Sequence, residues 1–161
     1  MMNPLKSTFK REVEMQILTI GDKVLNLKSK RVAKIDDSVR NFCAVMIDAM
    51  YANNGIGLAA PQVGVSKRII VIDVDGAPLV MINPEIIKQS DNQVVMNEGC
   101  LSIPETYIDL KRPESISVKF RDRKGIPHHN SYSGLTARII QHEIDHLDGK
   151  LMTDYEESVN V

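Results

Sequence analysis

This 161-residue chain has no tryptophan, three phenylalanines and four tyrosines, too few aromatic faces for a base-stacking platform. Its formal net charge of −1 gives no pull toward nucleic acid or an anionic membrane. No apolar run approaches the roughly 18 residues that a bilayer span requires. The opening "MMNPLKSTFKREVEMQIL" lacks the unbroken apolar segment of a secretory signal, and Glu12 and Glu14 argue against a transit peptide. Two cysteines, Cys43 and Cys100, do not make a disulfide framework, so each is expected to be a free thiol or a ligand in the cytoplasm. Internal repeats, low-complexity tracts and linker-like shifts are also missing.

What is present describes one globular unit: 43% hydrophobic and 25% charged residues, at a length that buries a substantial core. A single domain over 1–161 is expected, with 1–14 a loose extension ahead of Met15. "DDSVRNFCAVMIDAMYANNG" reads as a helix, capped by Asp37 or Ser38, with Val39, Phe42, Cys43, Met46 and Met50 on one stripe. Asn53, Asn54 and Gly55 supply its left-handed stop. "RIIVIDV" and "PLVMI" read as strands joined by a turn at Asp75-Gly76, with "QVVMN" and "SISVKFRD" as further strands. A second helix begins near Ser133, carries Leu135, Ile139, Ile140, Ile144 and Leu147 at helical spacing, and ends at Gly149. Helix, antiparallel strands, then helix is an α+β order.

That second helix contains "QHEIDHL". His142 and His146, four apart, share a helix face and can aim at one point, with Glu143 beside them as a base. The same pattern also occurs on ordinary polar helix faces. A catalytic divalent metal takes three protein ligands and leaves one open position. Glu156 and Glu157 follow the helix, and His128 and His129 precede it on an apparent strand, where at most one could face the site. Cys100, in "NEGCLSIP", is the better third ligand, because its polar approach suggests an exposed turn. Cys43 reads as a buried core thiol. One thiolate with two imidazoles suits Fe(II), Zn(II), Ni(II) or Co(II). "GIGLAAPQVG", taken alone, is a glycine-rich turn in which Gln62 is the side chain with polar reach.

Together, "GIGLAAPQVG", "EGCLS" and "QHEIDHL", in that order, resemble the three signature motifs of the peptide deformylases, and the likeness runs from about Ile17 to Asp154. The resemblance implies antiparallel β-sheets packed around a central helix carrying HExxH. It implies hydrolytic removal of the formyl group from nascent N-formyl-methionyl polypeptides. Cys100, His142 and His146 would be the metal ligands, and Glu143 the acid/base. Gln62 and the Leu101 N–H would face the oxyanion, with Gly57 lining the substrate groove. Fe(2+), one per chain, is the implied cofactor, with Zn2+, Ni2+ or Co2+ able to substitute. Ile56, Leu135 and Ile139 are candidate walls for the methionine side chain. Glu98 is a further candidate at the substrate, and Arg112 is expected to pair with it. A monomer associating with the ribosome, but with no nucleic-acid or membrane binding of its own, is expected. Lys23, Tyr107, the end at Val161 and residues 1–14 depart from the usual family pattern.

Overall fold

The computed structural model describes residues 15–155. The extension expected at 1–14, and Glu156 and Glu157, lie outside the described residues. Helix α1 spans Asp37–Ala52 and is capped one residue earlier than expected: the Asp36 carboxylate accepts from the Val39 N–H at 3.1 Å. Asp36 is the last extended residue, which is the geometry that lets a side chain fold back onto the first turn. Val39, Cys43, Met46 and Met50 are buried as the stripe predicts, and the left-handed stop falls on Asn54.

Strands β1 (Gly57–Ala59), β2 (Ile69–Ile72), β3 (Leu79–Gln89), β6 (Ser115–Arg121) and β7 (Pro127–Ser133) form an antiparallel sheet in the order β1-β2-β3-β6-β7. Strands β4 (Gln93–Cys100) and β5 (Ile103–Pro113) form a separate two-stranded ribbon. The "GIGLAAPQVG" stretch is therefore more than a turn. Gly57 pairs with Ile72 and makes β1 the edge of the large sheet, and a 3-10 turn over Ala60–Val63 follows. Three residues carry no readable period, and only tertiary pairing makes them a strand. The β2–β3 connection also differs, because it spans 73–78 with Asp73 Oδ1 accepting from the Gly76 N–H at 2.6 Å.

Strand β2 explains the architecture. All four of its residues are buried because the sheet is covered on both faces. Ile69 and Val71 pack with Leu58, Val80 and Ile82 against Cys43, Met46 and Met50 of α1. Ile70 and Ile72 pack with Met81, Val118 and Phe120 against helix α2 (Gly134–Leu147), through Ala137, Ile140 and Ile144. Each fully buried isoleucine contributes about 1.5–3 kcal/mol of transfer free energy. This packing makes α2 a central, nearly immersed helix. Its exit is tight, since a Cβ on Gly149 would come within 2.6 Å of the Asn26 carbonyl oxygen. The ribbon buries Ile103, Ile108 and Leu110 against Leu25, Leu151 and Met152. No described helix is long and apolar enough to cross a membrane.

Candidate active site

Helix periodicity puts His142 and His146 on one face of α2, with ring centroids 5.1 Å apart. The ribbon brings the third group. Its register runs regularly to Gly99↔Tyr107 and then shifts, so that Cys100 pairs with Ile103 and Leu101-Ser102 make the turn. Cys100 Sγ lies 3.3 Å from His146 Nε2, and donor atoms of Cys100, His142 and His146 all lie within 4.8 Å of one another. One soft thiolate and two imidazoles at that separation fit a borderline-soft divalent ion. The buried His146 Nδ1 lacks a hydrogen-bond partner.

Charge in the cluster fits a cation as well. Burial opposes a proton on His142, but the Cys100 sulfur and the Glu98 carboxylate outweigh it and lift the imidazole to about 10. Burial, with the charges of His142 and Arg112 adding to it, pushes His146 down to about 3. A metal ion would displace the His142 proton, as ligation of neutral imidazole requires.

Glu98 was expected at the substrate, and its carboxylate is engaged elsewhere. Its Oε1 sits 2.9 Å from His142 Nδ1, which turns Nε2 of that ring toward the cluster. Arg112, paired with it as expected, donates to both oxygens at 2.6 and 2.9 Å, and Arg138 donates to Oε2 at 2.7 Å. Burial alone would raise this carboxyl, but His142, Arg112 and Arg138 hold it well below the usual carboxylate range. Arg112 also donates to Asp145, which accepts from the Tyr155 hydroxyl.

Glu143 is 4% exposed, and burial pushes its carboxyl up to about 7. Its Oε2 is buried without a hydrogen-bond partner. Gly57 makes room for it: a Cβ there would come within 2.7 Å of Glu143 Oε1 and 2.8 Å of Ile139 Cγ2. Gln62 is fixed from behind, because its Oε1 accepts from the Ala59 N–H at 2.9 Å. Its amide N–H groups therefore face forward, to Ser102 Oγ at 3.1 Å and toward Cys100 Sγ at 3.7 Å.

A cavity of about 600 Å³ gathers these residues. Gly57, Gln62, Glu98, Cys100, Leu101, Ile139, His142 and Glu143 line it, and the half-exposed Ile56 and Leu135 stand at its rim with Tyr107. His146 lies behind, 1% exposed. His128 is elsewhere, stacked on Phe120 and paired with Asp122, and His129 is exposed. Cys43 stays in the α1 core, where burial raises its thiol to about 11. Sequence reasoning missed Ser102, Arg138, Asp145 and Tyr155. The one available signal was Arg138, the one lysine or arginine of α2, flanked by Ala137 and Ile139 and one turn before His142.

Residues 14–160 match the family model of the polypeptide deformylases. A peptide deformylase of Picosynechococcus is 51% identical over 149 residues, covering 89% of this chain and 80% of the relative. The crystal structure of a peptide deformylase from Synechococcus elongatus, in complex with actinonin, superposes with a TM-score of 0.86 at 46% identity, over 89% of this chain and 79% of that one. The peptide deformylase of Thermotoga maritima gives 0.86 at 41% identity, over 87% and 95%.

Proposed function

Since this chain belongs to the polypeptide deformylase family and removes the N-terminal formyl group from nascent polypeptides by metal-dependent hydrolysis, we propose that Cys100, His142 and His146 hold the metal and that Glu143 moves the protons. The observation that carries this reading is the convergence of the three donors to within 4.8 Å of one another, two of them lining the cavity that Glu143, with its unpartnered Oε2, also lines. A bound divalent ion supplies Lewis acidity toward water and the formyl carbonyl.

The protein supplies the rest. Glu143 accepts the proton of the attacking water and returns it to the leaving amine, so formate and a free amino terminus result. The Gln62 amide and the Leu101 N–H stabilise the oxyanion, and one such donor typically contributes about 2.7–4 kcal/mol. Gln62 is suited to this because its carbonyl is already tied to Ala59. Gly57 leaves the Glu143 carboxylate room beside the groove, and Ile56, Leu135 and Ile139 wall the pocket for the methionine side chain. The Glu98 carboxylate acts through His142, whose Nδ1 it holds.

The metal in this reading is Fe(2+), one per chain, with Zn2+, Ni2+ or Co2+ able to replace it. The chain works as a single-domain monomer on polypeptides emerging from the ribosome, in the reducing cytoplasm, where Cys100 stays reduced and able to hold the metal. The test is anaerobic purification with metal analysis, then formate release from formyl-Met-Ala-Ser and from the unformylated peptide. Near one iron per chain with formate release supports the reading. Cleavage of the unformylated peptide, or activity without bound metal, contradicts it.

A further inference from the structure

The ligands assigned above come from two bodies. His142 and His146 stand on α2, and Cys100 stands on a ribbon that pairs with no strand of the large sheet. A two-stranded ribbon is marginal alone; its apolar side rests on Leu25, Leu151 and Met152, and its position relative to the histidines depends on what ties it to α2. Arg138 precedes His142 by one helical turn, on the same side of α2, and is 5% exposed. Its Nη1 donates to Glu98 Oε2 at 2.7 Å and to the Leu110 carbonyl at 2.9 Å, and its Nη2 donates to the Val94 carbonyl. One guanidinium therefore grips β4, β5 and the carboxylate that orients His142.

We propose that Arg138 is a positioning residue of the metal centre, which sets the spacing between Cys100 and the two histidines; this rests on the ligand assignment above. Arg112 runs the opposite way, from β5 to Asp145 on α2, so Glu98 is held from both bodies. Gln141 adds a contact to the Pro113 carbonyl at the far end of the ribbon, but it does not touch Glu98. Arg138 alone among these reaches from α2 to both strands and to Glu98 at once. That task needs a planar fork of donors, which lysine does not have.

The test compares Co(II) binding to the apoprotein of the wild type, Arg138→Met, Arg138→Lys, Val118→Ala and Cys100→Ala. Affinity is read by chelator competition, and the thiolate–cobalt contact by its near-ultraviolet absorption band. Val118 packs beneath α2 on the sheet side, so its truncation lowers the melting temperature without touching the ribbon joint. Arg138→Met is expected to weaken Co(II) binding about ten- to hundredfold and alter the band, with Arg138→Lys weaker than wild type by at least about threefold. Val118→Ala keeps wild-type affinity and band. Wild-type affinity and band in the arginine variants overturn the proposal, as does an equal loss in Val118→Ala at matched melting temperature. Should Arg138→Met fail to fold, Arg138→Lys decides on the same criterion. Retention of band and affinity by Cys100→Ala would instead sink the ligand assignment, whatever the arginine variants do.

Discussion

Helix α2 meets the five-stranded sheet through Ala137, Ile140, Ile144 and Leu147, whereas it meets the β4–β5 ribbon through Arg138, Asp145 and the Glu98–Arg112 pair. The first joint is apolar burial, which is strong in sum and indifferent to small rotations. The second is a set of directional, charge-assisted hydrogen bonds between buried groups. Sheet packing therefore keeps the helix in the molecule, and the ribbon joint fixes how its histidines face Cys100. Damage to each side should show in a different measurement.

The largest effect is expected from the ribbon. Cys100→Ala should lose metal and formate release together, measured by metal analysis after gel filtration, while the chain stays folded. Stoichiometric metal in that variant would put the third ligand elsewhere. Glu98→Gln should come next, because it leaves Arg112 and Arg138 buried without their anion and frees the His142 ring. Metal affinity is expected to fall about 10- to 100-fold, read by chelator competition. An unchanged midpoint would mean that His142 needs no orienting partner.

On the sheet side the ranking reverses. Ile70→Ala opens a cavity under α2 and should cost about 2–5 kcal/mol in urea unfolding, with formate release per folded chain staying within a few-fold of wild type. A collapse of turnover in folded protein would erase the contrast between the two joints. The smallest effect concerns Cys43 in the α1 core. Burial raises its thiol to about 11, with Arg123 opposing, from an ordinary value of 9.0. The unfolded chain gives up this proton first as pH rises, so the folded state loses stability between those values and keeps it fully below them. The stability gap between wild type and Cys43→Ala should narrow from pH 9 to pH 11 by at most about 1.4 kcal/mol per unit. A constant gap across that range would show a normal thiol.

The same two joints divide what could be read from the sequence. The stripe of α1, the apolar run of β2 and the i,i+4 histidines were legible because each is a local period, and local periods survive without knowledge of neighbours. Cys100 and Gln62 stood out through their motifs. Strand β1 did not, because Gly57–Ala59 becomes a strand only by pairing with β2. The Asp36 cap was displaced by one residue because aspartate occupies both Asp36 and Asp37, and backbone conformation chooses between them. The ribbon joint was the least legible part. Arg138 and Glu98 are 40 residues apart, and nothing local in the sequence shows that Arg112, Arg138 and His142 all converge on the Glu98 carboxylate.

Glu143→Gln gives the most direct test of the account, because it removes the proton carrier and leaves all three ligands and both joints in place. Metal content and formate release are to be measured on the same anaerobic preparation. The account predicts near one metal per chain, with kcat lowered about a hundredfold or more. Near-normal turnover would show that the proton moves by another route, and loss of the metal would show that Glu143 belongs to the ligand set.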